Sequence, residues 1–115
     1  MSTTRTITDS ALIKAIEVKS QVNDIAFTLP ENELYQVRKR MLDTINDLED
    51  NILDGFALNN KIERVRRFVN IVGRLMECKD YLDYIHKSSR TDVRNVNQQI
   101  DELSNLLLIN SGTLN

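Results

Sequence analysis

Only one proline and three glycines interrupt the 115 residues of this chain. Tight chain reversals draw on these two residue types more than on any others, so a fold that must turn every eight to twelve residues is nearly excluded, and with it the all-β sandwiches and barrels. A few long helices fit instead. The rest of the composition agrees: 41% of residues are apolar and 28% charged, the balance of a soluble globular domain. The length suits one domain and leaves no room for two.

Apolar residues recur at three- and four-residue steps in four stretches. The first predicts a helix over 9–28, with Asp9 as its N-cap, a stripe of Ala11, Leu12, Ala15, Val18, Val22, Ile25, Ala26 and Leu29, and a stop at Pro30. Glu31 and Glu33 suit the positive N-terminal end of a second helix, predicted over 31–54. Its seam is Leu34, Val37, Met41, Ile45, Leu48 and Ile52, and Gly55 is placed as its C-cap. A third helix, over 60–86, opens at Asn60 with Glu63 completing something close to a capping box. It carries Ile62, Val65, Phe68, Val69, Val72, Leu75, Met76, Leu82 and Ile85. After a turn at Ser88-Ser89-Arg90, Thr91 is read as the cap of a fourth helix over 91–110, with Val93, Val96, Ile100, Leu103 and Leu107 as its seam and a frayed tail from Ser111. Breaks of roughly two to six residues fold each helix back beside the last. The expectation is one all-α domain over 1–115, an up-down-up-down antiparallel four-helix bundle.

The apolar surface is broader than one core needs. At about 100° per residue, the seam of the second helix spans about 160°, whereas that of the third reaches about 240°, extended by Ile71, Cys78, Tyr81, Tyr84 and Ile85. The first helix places Ile13, Ile16 and Phe27 off its main stripe. Such breadth points to a second buried surface and so to a homo-oligomer, with Ile13, Ile16, Ile71, Tyr81 and Tyr84 as candidate contacts. Scattered exposed apolar residues on a monomer are the plain alternative.

Reactive chemistry is sparse. One cysteine and one histidine exclude a disulfide framework and any Cys- or His-rich metal centre. Cys78 reads as a small buried hydrophobe, and His86 as a cap for carbonyls at a helix C-terminus. Asp43, Asp47, Asp50 and Asp54 step by four and three as a solvated face. Asp80 and Asp83 precede His86 at helical spacing, but no carboxylate–histidine pair recurs elsewhere. Phosphate-loop and nucleophile motifs are absent. No catalytic residue, metal or cofactor is therefore expected, and the protein is read as no enzyme. Residues 1–9 hold no apolar stretch of signal-peptide type, and no apolar run approaches the roughly 20 residues that cross a bilayer, so a cytoplasmic location without membrane contact is expected.

The net charge of −2 conceals an asymmetry. Residues 31–60 carry three basic and seven acidic side chains, net −4, and residues 61–90 carry eight and four, net +4. Two antiparallel neighbours could attract each other across solvent. Alternatively Lys61, Arg64, Arg67 and Arg74 could form a basic strip that contacts a phosphate backbone or a protein partner. A pI near 5.4 opposes strong nonspecific nucleic-acid binding while permitting a local patch. A second cluster, Arg38-Lys39-Arg40, is expected toward the opposite end of the bundle.

Three short segments carry a resemblance. Leu29-Pro30-Glu31 precedes the second helix, Asn51-Ile52-Leu53-Asp54-Gly55-Phe56 closes it, and Gly73-Arg74-Leu75-Met76-Glu77 lies within the third. Over roughly residues 9–110 the chain resembles the small bacterial four-helix-bundle proteins encoded by intervening sequences in large-subunit ribosomal RNA genes. That family includes the accessory variability determinants of diversity-generating retroelements, which partner a reverse transcriptase. Asp54 stands where the family has Glu and Arg74 where it has Ser. The resemblance implies a homopentameric barrel. Two functions follow as expectations: a non-enzymatic oligomeric scaffold that presents a surface to a protein partner, or a nucleic-acid-binding accessory of a reverse transcriptase, with RNA or DNA as a further ligand.

Overall fold

The computed structural model describes residues 3–29 and 34–111 of the chain. Five helices run through them: α1 (Thr3–Thr28), α2 (Tyr35–Ile45), α3 (Leu48–Ala57), α4 (Lys61–Ser89) and α5 (Arg94–Ser111). Because α2 and α3 form one broken rod, the fold is four helical rods packed against each other, within 47 × 23 × 18 Å. α1 and α4 each pack against α5 and against both halves of the broken rod.

The predicted seams explain the packing. Ala11, Ala15, Val18 and Val22 of α1 are fully buried, as are Phe68, Leu75, Cys78, Leu82 and Ile85 of α4 and Ile100, Leu103 and Leu107 of α5. The two alanines let neighbouring rods approach α1 closely, while the larger side chains of α4 and α5 fill the interior. Met41, Ile45, Leu48 and Ile52 keep their four-three-four step across the break between α2 and α3, so one stripe stays buried although the backbone does not stay helical.

Several expected boundaries move. Asp9 is not an N-cap: α1 runs through it from Thr3, and Asp9 lies on the exposed face, where a weak helix former costs only a few tenths of a kcal/mol, roughly. Pro30, Glu31 and Glu33 lie outside the described residues, as does the tail beyond Ser111, which is itself helical and buried. The single helix expected over 31–54 breaks at Asn46 and Asp47. Thr44, Asn46 and Asp47 are poor helix formers, and the Thr44 hydroxyl donates to the Met41 carbonyl at 2.6 Å, a local bond that competes with the helical ladder. From α1, Lys19 reaches the Asn46 carbonyl at 3.5 Å and the Glu49 carboxylate at 3.6 Å, which partners the break.

Gly55 is not a C-cap either. It is buried inside α3, which continues to Ala57, and the Leu58 N–H caps the helix by donating to the Gly55 carbonyl at 3.2 Å. Space rather than conformation demands glycine here. A Cβ on Gly55 would lie 2.3 Å from Cε1 of the fully buried Phe68. The Phe68 ring is fully buried and meets the Phe56 ring edge-on, with centroids 4.8 Å apart, so displacing it disturbs a packed contact.

Asn60 does cap α4, its Oδ1 accepting from the Glu63 N–H at 3.1 Å. The far end lies past His86: Ser88 and Ser89 are helical, and Arg90 adopts the left-handed conformation at φ 60° while donating its N–H to the His86 carbonyl at 2.8 Å. Thr91 does not cap α5. Its neighbour Asp92 accepts from the Arg94 N–H at 3.0 Å and also pairs with the Arg94 guanidinium, which holds its carboxyl down at about 2.

Two glycine substitutions should have opposite signs. Gly55→Ala should lower stability by about 1–2 kcal/mol, because overpacking against Phe68 outweighs the better helix propensity of alanine. Gly73→Ala, where an added Cβ meets nothing within 4 Å, should raise it by about 0.5–1 kcal/mol. Thermal melts of the two variants at low protein concentration check the contrast.

Candidate functional site

Arg64 follows the core phase of α4, sharing its four-three step with Phe68, Ile71 and Leu75, and is only 3% exposed. Its Nε donates to the Ser111 carbonyl at 2.9 Å and its Nη1 to the Leu58 carbonyl at 3.1 Å. These carbonyls end α5 and α3, where helix dipoles concentrate negative charge. The guanidinium thus sits between two partial negative poles in place of a carboxylate. Its Nη2 is buried and has no hydrogen-bond partner among the described residues. As a phosphate contact, Arg64 is corrected: it is a clamp that joins the end of α3, the start of α4 and the end of α5.

The expected basic strip separates accordingly. Lys61 is exposed at the start of α4. Arg67 and Arg74 are half-buried along the seam with the broken rod: Arg67 Nη1 lies 3.7 Å from the Asp54 carboxylate, and Arg74 Nη2 donates to the Asp43 carbonyl at 3.4 Å. Arg40 lines the same open cleft as Arg74, together with Asp43, Glu77 and Tyr81, so the two basic clusters meet there instead of lying at opposite ends throughout. Within that cleft the Tyr81 hydroxyl donates to Glu77 at 3.2 Å, and partial burial together with that carboxylate raises its pKa. Each arginine has acidic or carbonyl neighbours, and exposed pairs of this kind contribute about 0–1 kcal/mol each.

The five apolar candidates also separate. Ile13, Ile16 and Tyr84 are exposed, Tyr81 is half-buried against the core, and Ile71 is only 3% exposed. Ile71 is corrected from a surface contact to a core residue, since it repeats with Arg64, Phe68, Leu75 and Cys78 toward the interior. The residues that face outward in its stead are Ile62, 65% exposed, and Val69, 54% exposed, flanked by half-buried Val65, Val72 and Met76. α4 therefore carries two parallel seams with the same spacing. That duplication is visible in the sequence, but periodicity does not say which seam faces inward; the phase shared with Cys78, Leu82 and Ile85 was the available signal.

Other candidate groups have local partners. His86 Nδ1 lies 2.8 Å from the Thr91 carbonyl, which only accepts, so this nitrogen carries the proton. Cys78 is fully buried, and burial pushes its thiol up to about 11. Asp43, Asp47, Asp50 and Asp54 are exposed. Among the described residues, no three His, Cys, Asp or Glu side chains are placed to share a metal ion, and no helix is long and apolar enough to cross a membrane.

Arg64→Met should destabilise the fold by about 2–4 kcal/mol, because the buried Ser111 carbonyl and the part-buried Leu58 carbonyl lose their donor. Arg67→Glu with Arg74→Glu should cost less, about 1 kcal/mol, since exposed pairs are weak. Urea unfolding of both variants checks the ranking. Cys78 supplies a separate check. Its raised pKa contributes stability that is fully present below the unfolded value near 9 and is lost as pH climbs toward 11. Alkylation at pH 8 should be slow in the folded protein and fast in denaturant.

No family model, no curated protein and no solved structure matches this chain.

Proposed function

We propose that this chain is a non-enzymatic, self-associating helical scaffold, of the kind expected for proteins of ribosomal intervening sequences, that works in the cytoplasm and presents its surface to a protein partner. The observation that carries the reading is the outward apolar surface of two rods, Ile13 and Ile16 on α1 and Ile62, Val69 and Tyr84 on α4. Large apolar side chains repeated along an outer helix face mark surfaces that another protein covers. A subunit number of five rests on the family resemblance alone.

The proposal includes an up-down-up-down antiparallel course. Paired contacts support it by running in opposite order along neighbouring rods. Lys14 meets Glu102 at 2.8 Å and Gln21 meets Asn95 at 3.1 Å between α1 and α5. Lys79 meets Asp101 at 2.7 Å while Arg64 reaches Ser111 between α4 and α5. Asp43 lies by Arg74 and Asp54 by Arg67 across the remaining seam.

The second reading, an RNA- or DNA-binding accessory of a reverse transcriptase, draws on exposed Lys61 and Arg66 near half-buried Arg67. Asp54 and Glu63 lie close to these residues and offset their charge, while Arg64 has no access to a phosphate. The scaffold reading is the stronger for this reason.

Light scattering at micromolar concentration should give a mass several times 13.3 kDa. A monomer with no concentration dependence would sink the scaffold reading. A titration with RNA or single-stranded DNA that showed binding steeply weakened by salt and abolished by Arg67→Glu with Arg74→Glu, at unchanged helicity, would favour the accessory reading instead.

A further inference from the structure

The outward seam of α4 has a glycine in its middle. Gly73 is exposed, its φ is ordinary, and a Cβ built on it meets nothing within 4 Å. Inside one chain this glycine has no structural use, and relative to alanine it costs the helix about 1 kcal/mol. The contrast with Gly55, whose missing Cβ is filled by Phe68, is direct. A glycine on an exposed helix face becomes useful when another helix crosses there, because the absent side chain lets two backbones approach.

The residues around Gly73 indicate what crosses. Ile62, Arg66, Val69, Gly73, Met76, Asp80 and Tyr84 repeat at three- and four-residue steps along one outer face. The N-terminal part of that face carries Arg66, with Lys61 at its margin, and its C-terminal part carries Asp80, while Asp83 beside it is already paired within the helix to Lys87 at 3.0 Å. An identical helix laid parallel in register would set Arg66 on Arg66 and Asp80 on Asp80. Laid antiparallel, with the crossing at Gly73, it sets Arg66 opposite Asp80 and Ile62 opposite Tyr84, with Val69 beside Met76, each pairing occurring twice. The face is therefore complementary to itself in the antiparallel sense, which is the requirement of a two-fold interface.

We infer that α4 pairs antiparallel with the α4 of a second copy of this chain, about a two-fold axis at Gly73, with Arg66 of each copy on Asp80 of the other. The inference deepens the scaffold proposal and rests on its self-association; a two-fold contact joins copies in pairs, so it calls for an even number of subunits in place of the five that the resemblance implies. At 1.5 Å per residue the 29 residues of α4 extend about 43 Å, close to the 47 Å length of the bundle, so the two bundles lie side by side over nearly their full length.

A charge exchange tests the pairing. Arg66 and Asp80 are exposed and 14 positions apart, too far to interact within one helix, so reversing either should leave the circular-dichroism melt of the diluted chain unchanged. Sedimentation equilibrium of Arg66→Asp should show association weakened at least about tenfold, because two attractive pairs become repulsive, and Asp80→Arg should do the same. The double variant Arg66→Asp, Asp80→Arg should return to within about threefold of the parent, a recovery that only a 66–80 contact between copies produces. Gly73→Leu, which fills the crossing point, should also weaken association. A parent chain that is monomeric overturns both this pairing and the scaffold proposal. An oligomer whose mass ignores all four variants overturns the pairing and leaves the scaffold proposal in place.

Discussion

A guanidinium group held between two helix ends organises one end of this bundle. Arg64 enters the interior from the first turn of α4, where the helix's own positive pole disfavours a cation. It stays because the carbonyl ends of α3 and α5 converge on it. Among the described residues neither carbonyl has a helical donor, and leaving the buried Ser111 carbonyl without one would cost about 1–3 kcal/mol. The clamp therefore meets several needs at once: it satisfies the two helix ends, compensates the buried charge, and sets the height of α5 relative to α4. The core seams then interdigitate in a fixed register, and Phe68, one turn further along α4, lies against the backbone of α3 at Gly55.

With that register set, the division of α4 into two faces follows. The seam in phase with Arg64 turns inward, and of the second seam Ile62 and Val69 are left at the surface while Val65, Val72 and Met76 are half-buried beside them. The same arginine that withdraws from the surface thus decides which residues remain there. Charge follows a parallel logic. Arg67 and Arg74 lie toward the acidic broken rod and are partly neutralised by it, while Arg66, one position from Arg67, is exposed beside Glu63.

Much of this was legible beforehand, and the exceptions share a cause. Helix existence, the stripe of Ala11 to Ala26, the seam of Met41 to Ile52, the Asn60 cap and the burial of Cys78 all depend on local spacing or on composition, which a sequence displays directly. The roles of Gly55, Arg64 and Ile71 depend on a neighbour distant in the chain. Gly55 looked like a helix terminator because glycine so often is one, whereas its reason is a ring 13 positions away. Arg64 looked like a surface cation because arginine is rarely buried; its partners, Leu58 and Ser111, become adjacent only after folding. Ile71 and Val69 were equally periodic, and only the phase of the rods separates them. Ahead of α5, Thr91 and Asp92 are both good cap formers by type, and it is the Asp92 carboxylate, two residues before the first helical residue, that accepts from the Arg94 N–H.

The interruption at Asn46 and Asp47 has a consequence for cooperativity. A helix of the uninterrupted length would be able to hold a nucleated turn and extend it alone. Divided, it becomes segments of 11 and 10 residues, each below the roughly 12–15 at which an isolated helix is even marginal in water. Neither segment is self-sustaining, so their helicity is conferred by α1 and α4 on either side. The broken rod behaves as the dependent quarter of the bundle, a wall whose order is borrowed from its neighbours, while the three long helices carry the capacity to begin the structure.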